Sequence, residues 1–231
     1  MVEARSRALG ILPALVIGQT ALHATMAGLR MAAPLQALRD GYSALAVGVL
    51  LALFAALPVL TALRAGRMAD RHGYHRPLRW AVALAMTGAS LALASTFCSG
   101  AVHFLLLCAA AATSGTGANV GMICIQRQAG RLASDGTERL RVFSWLGVAP
   151  SMANVVGPVL AGFAIDGAGF GAAFGCLLVL PLMSLLSARQ VPRAAAADVT
   201  QSERPTSAAW DLLRAPGLIR LLSINWLLSA S

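Results

Sequence analysis

Five stretches of the chain carry no Asp, Glu, Lys or Arg: 8–29, 41–63, 80–126, 142–165 and 167–188. A helix needs about 20 apolar residues to cross the hydrocarbon core of a bilayer. Four of the stretches fit one such helix each. The stretch 80–126 is 47 residues long and fits two, with a turn near Cys98-Ser99-Gly100. The pattern predicts an all-α transmembrane protein with six spanning helices in residues 1–190. A further apolar run opens at Gly217 and reaches Ser231. Between these parts, residues 191–215 hold Pro192, an Ala run, Asp198, Glu203 and Pro205, the composition of a solvated linker. Residues 216–231 are then the start of helix 7 of a second bundle.

Composition agrees with a membrane setting. The chain is 58% hydrophobic and 12% charged, with a mean hydropathy of +0.71. Soluble domains average about 25% charged residues. The net charge of +9 does not form a face that could follow a nucleic acid, because the basic residues sit in short segments between apolar runs. All 18 are Arg. With the N-terminus in the cytoplasm, Arg5 and Arg7, the group Arg64 to Arg79, the group Arg127 to Arg141 and the group Arg189 to Arg220 all fall inside. Arg30 and Arg39 remain outside. This asymmetry sets the orientation and points to a bacterial inner membrane. The first run exceeds the 7–15 residues of a signal-peptide core and is read as a retained helix. Cys98, Cys108, Cys124 and Cys176 have no metal or redox spacing and read as small hydrophobes.

One segment interrupts the apolar pattern in an ordered way. Between the second and third runs stands Gly66-Arg67-Met68-Ala69-Asp70-Arg71-His72-Gly73-Tyr74-His75-Arg76. This Gly-x-x-x-Asp-Arg-x-Gly order resembles the signature loop of the major facilitator superfamily, Gly-x-Leu-Ala-Asp-Arg-x-Gly followed by basic residues. Met68 stands for the Leu, and the basic tail is displaced so that Arg76 follows Tyr74 and His75. The resemblance implies two six-helix halves, each of two inverted three-helix repeats, of which this chain supplies the N-terminal one. It also implies a gating loop of Gly66, Asp70, Arg71, Gly73 and Arg76 that latches the halves together. Glycine eases a tight reversal, and Asp70 is placed to pair with Arg71 or Arg76, or to face a helix N-terminus of the other half.

A second resemblance lies in the fifth run. Ala153 to Gly162 looks like the family's Gly-x-x-x-Gly-Pro-x-x-Gly-Gly element, which is associated with exporters. Pro158 removes a helix hydrogen bond. Gly157 and Gly162 are expected to let a neighbouring helix approach closely. The Arg that many proton-coupled members carry four residues before a span-four glycine is Ala111 here, ahead of Gly115.

Polar residues at membrane depth are costly and usually face a cavity or a partner. At about 100° per residue, Gln19, His23 and Arg30 fall on one stripe of the first helix. With Asn119 and Asn154 they make a candidate substrate or coupling cavity. Packing hydrogen bonds explain these polar residues equally well, and Arg30 is able to snorkel to the interface. None of the six predicted spans has an Asp or Glu at its centre. No Gly-x-Ser-x-Gly motif or paired intramembrane carboxylate suggests an enzyme, and no cofactor or metal is expected. The expected partners are a small-molecule substrate, the lipid bilayer and the missing C-terminal six-helix half. The function expected is secondary active transport of a small organic solute, with efflux favoured. The alternatives are a truncated chain without transport activity and, further off, a membrane-embedded enzyme.

Overall fold

The computed structural model describes residues 2–133 and 136–192. They form five helices: α1 (Val2–Arg39), α2 (Ala44–His72), α3 (His75–Ser95), α4 (Gly100–Leu132) and α5 (Gly136–Ala188). No strand occurs among the described residues. Each of the five contains a stretch long and apolar enough to cross a membrane. Most of the predicted linker, and all of the predicted start of helix 7, lie outside the described residues.

The helices outrun the charge-free stretches that predicted them. α1 continues past Leu29 to Arg39, and α2 past Leu63 to His72. A helix satisfies its own backbone in lipid and in water alike, so charge marks the edge of the apolar zone and not the end of the helix. The reversal expected near Cys98-Ser99-Gly100 is where α3 gives way to α4.

α5 is 53 residues long. A straight helix of that length would run about 80 Å, against a hydrocarbon core of about 30 Å. It is not straight. Gly169 leaves helical geometry at φ 83° and ψ −177°. Val142 and Leu146 share one core cluster with Ala188 and Val191, while Ile165, Ala173 and Leu177 share the other. The chain therefore doubles back at Gly169, where a positive φ suits glycine. The first cluster lies at the end that carries the 66–76 segment, and the second at the opposite end.

α1 runs through the middle of this packing. Leu15, Gln19, Leu22 and Leu29 are all fully buried. It meets both limbs of α5 at small residues. A Cβ on Gly157 would collide with the Ala24 carbonyl, and one on Gly28 would stand 3.0 Å from Gly157 O and closer still to Leu177. Thr25 Oγ1 donates to its own helix at Ala21 O (3.1 Å) and across to Leu177 O (3.3 Å). Lipid is as apolar as leucine, so close backbone approach and such hydrogen bonds hold membrane helices together.

The contact between α2 and α4 has a different origin. Pro58 has no N–H and so leaves the Phe54 carbonyl without its helical donor. Gly115 of α4 sits against that oxygen, at a place where any Cβ would collide with it. One turn on, Asn119 Nδ2 donates to Pro58 O at 3.3 Å. Outside this packing, Leu45, Leu60, Leu105 and Phe163 are widely exposed, as suits a surface solvated by lipid.

Candidate functional site

The signature segment is mostly helix. Gly66, Asp70 and Arg71 all belong to the last two turns of α2. Two residues then connect to α3, Gly73 with φ 67° and Tyr74. Gly73 thus makes the predicted tight reversal. Gly66 does not: a Cβ there would meet nothing within 4 Å, and no conformational demand falls on it.

Asp70 forms an ion pair with Arg127, near the end of α4. It does not pair with Arg71 or Arg76, both of which are exposed. The reason is geometric. Residues one apart on a helix diverge by about 100°, whereas α4 returns to this end of the bundle and brings Arg127 alongside. Asp70 and Arg127 are each partly exposed, at 44% and 33% of their side chains, so the pair links two helices under solvent screening. Arg127 directly follows the longest charge-free stretch. In the sequence Arg127 marks orientation alone; its place on the same side of the membrane as Asp70 is the signal that could have paired them.

Two further contacts brace the connection. His75 Nε2 lies 3.1 Å from Val191 O, tying the start of α3 to the turn that follows α5. Tyr74 is buried and meets the His75 ring edge-on at 5.2 Å. Burial, with a smaller contribution from nearby Cys124, pushes the Tyr74 phenol up from its ordinary value, so it stays neutral. Beside these residues opens a cavity of about 660 Å³ lined by His75, Leu78, Arg79, Leu185, Ala188 and Arg189.

The α5 element divides in two. Gly157 is a point of close backbone approach between α5 and α1. Gly162 faces open space. Helical geometry continues through Pro158.

The polar residues predicted to line a cavity have unequal surroundings. Gln19 is buried and its Oε1 has no partner. His23 and Asn119 are half-buried, and His23 Nδ1 also lacks a partner. Arg30 and Asn154 are exposed. A stripe drawn along one helix passes under neighbours that cross it, so a shared angular position does not ensure a shared exposure. The Asn119 side chain is held by its bond to Pro58 O.

Comparison with known proteins bears on the same residues. The family model described as Major Facilitator Superfamily matches residues 15–231. The chain is 33% identical over 119 residues to the tetracycline resistance protein, class B, of Escherichia coli. That alignment takes in 51% of this chain and 27% of the relative, so the chain spans well under half of the curated protein it matches. With a match over nearly its whole length, and with apolar helices that carry the signature segment on the α2–α3 connection, the chain is a multi-pass membrane protein that belongs to the Major Facilitator Superfamily.

Proposed function

We propose that this chain forms the N-terminal bundle of a secondary active transporter that moves a small organic solute by alternating access, and that its direction is efflux. Gly169 is read as the turn between a fifth and a sixth span, which completes six helices as two inverted three-helix repeats. The N-terminus is placed in the cytoplasm of a bacterial cell, with the 66–76 segment inside. A second six-helix half, beginning in residues 216–231, supplies the other wall of the cavity.

The observation that carries this reading is the Asp70–Arg127 pair. It fixes the signature aspartate to the end of α4, at the rim where a second half would have to open and close. Gly66 and Gly162 support it, since each leaves an open surface where a partner helix could approach the backbone. The relative's name concerns resistance to tetracycline, which favours outward movement of a compact organic molecule. Arg30 and Asn154 are the cavity candidates already exposed, while His23 and Asn119 are half-buried.

The test is flux in proteoliposomes with both halves present. Asp70→Asn is expected to lower flux by about tenfold or more while leaving membrane insertion unchanged. Undiminished flux from that variant would remove the latch. A second reading follows from the open faces of Gly66 and Gly162. If the second half supplies the opposing wall, residues 1–231 tested by themselves are expected to move no solute, and saturable flux by them would refute this.

A further inference from the structure

The cavity of about 660 Å³ beside the start of α3 has no part in the transport reading. α3 lines it with Leu78 and Arg79, α5 with Leu185 and Ala188, and the turn after α5 with Arg189 and Val191. Leu78, Ala188 and Val191 are buried, and Arg79 and Arg189 are exposed. The lining is therefore apolar inside and basic at the rim. The turn that carries Arg189 is held in place. The amides of Arg189, Gln190 and Val191 donate in succession to Leu186 O, Ser187 O and Ala188 O. Val191 O meets His75 Nε2 at 3.1 Å, and Arg79 stands one turn further along α3 from His75.

Charge decides what the rim attracts. No Asp or Glu lines the cavity, and among the described residues neither Arg79 nor Arg189 forms an ion pair. The start of α3 and the end of α5 carry partial charges of opposite sign, so the field at the rim comes from the two guanidiniums. A guanidinium stays protonated, and its fork of N–H donors matches the oxygens of a phosphate. The volume falls within the range of about 300–1,000 Å³ usual for sites that hold small molecules. The surroundings add an apolar requirement. Trp80, the residue after Arg79, is 60% exposed, and a tryptophan at the edge of an apolar span marks the headgroup level of a bilayer. Leu182 stands three residues before Leu185, on the same face of α5, and is exposed, as is Leu186. The basic rim thus passes straight into a lipid-facing apolar surface. A free phosphate would use the rim alone, whereas a phospholipid uses both.

We propose that this cavity binds the headgroup of an anionic phospholipid, with Arg79 and Arg189 holding the phosphodiester and the acyl chains lying along Leu182 and Leu186 of α5. The bound lipid straps the turn after α5 to α3, beside the His75–Val191 contact. The site is separate from the Asp70–Arg127 pair and from the polar stripe of α1. It rests neither on the direction of transport nor on which side of the membrane the 66–76 segment lies.

The experiment uses the full chain in phosphatidylcholine bilayers, with Trp145, Trp210 and Trp226 replaced by Phe so that Trp80 reports alone. Phosphatidylglycerol or phosphatidylcholine with brominated acyl chains is added at rising mole fraction, and quenching of Trp80 gives the preference for one lipid over the other. With both arginines in place, phosphatidylglycerol is expected to be preferred about twentyfold, at about fivefold for each arginine. Arg79→Gln and Arg189→Gln should each lower the preference about fivefold, and the double variant should abolish it. Lys at both positions keeps the charge and should restore most of it. Arg64→Gln removes an exposed charge on α2, outside the cavity, and should change nothing. Equal quenching by the two lipids with both arginines present would overturn the proposal, whatever the variants do. A preference that survives in the double Gln variant, or that falls as far in Arg64→Gln, would overturn it too, as attraction to the surface at large. Release of brominated phosphatidylglycerol by millimolar glycerol phosphate would assign the rim to a soluble phosphate and remove the lipid. Flux enters none of these readouts, so failure of the transport assay and failure of this proposal are separate results.

Discussion

Adding one methyl group at Gly157 tests whether α1 and α5 are held by backbone contact. In Gly157→Ala the new Cβ would overlap the Ala24 carbonyl oxygen and stand 2.8 Å from Gly28 N and 3.1 Å from Ala24 C. All three are backbone atoms of α1 and cannot rotate away, so the helices must separate. Overpacking of this kind typically costs about 1–3 kcal/mol, and a rigid obstacle places Gly157→Ala near about 3 kcal/mol. Alanine recovers about 1 kcal/mol of helix propensity, which leaves about 2 kcal/mol of net destabilisation. Gly162→Ala is the control. It lies five residues along the same helix, its Cβ meets nothing within 4 Å, and it keeps the propensity gain of about 1 kcal/mol without strain. The two variants should therefore differ by about 3 kcal/mol, or about a hundredfold in the unfolding equilibrium. SDS titration of the chain in mixed micelles, followed by tryptophan fluorescence, measures this directly. Stabilities within about 0.5 kcal/mol of each other, inside the usual noise of surface substitutions, would refute the close-contact account.

Two other expectations follow from the same packing and from the proposed orientation. Asn119→Ala removes the donor to Pro58 O, and should destabilise the chain by about 1 kcal/mol in the same titration; an unchanged midpoint would show that this bond contributes nothing. In a chain whose other cysteines are replaced, exposed Cys98 should react with a membrane-impermeant maleimide in intact cells, whereas Arg71→Cys should react only after permeabilisation. The reverse pattern would invert the topology.

How much of this was legible in the sequence depends on what each feature requires. Helix placement was readable because the absence of charge is imposed by lipid along each segment separately. The turn at Cys98-Ser99-Gly100 was readable from length, because the 47 charge-free residues 80–126 are too many for one span and must reverse within it. The signature segment could be recognised from its spacing, yet the partner of Asp70 could not. Arg127 is 57 positions away, and only the return of α4 brings it near. The same limit applies to Gly157 and Gly162. They look equivalent as small residues, but one lies under α1 and the other is open, and a helical wheel holds no information about which neighbour crosses where. Gln19 and Arg30 share a stripe and end with opposite exposure for the same reason. His103 comes within 3.0 Å of Asp40 from a different turn, a meeting that no local pattern announces.

The bond from Thr25 to Leu177 O spans 152 residues. During synthesis at about 5–20 residues per second, the second limb of α5 emerges roughly 8–30 s after α1. For that interval Thr25 lacks the Leu177 carbonyl it later donates to, and Gly18 and Gly28 lack the α5 side chains of Ser187 and Leu177 that later lie against them. α4 can fold back on α3, the helix made just before it, but the main neighbour of α1 is α5, which comes last. A newborn chain therefore enters the membrane with its most polar helix unsheltered. The insertion machinery has to keep that helix from lipid or from a wrong neighbour until the chain turns at Gly169 and returns.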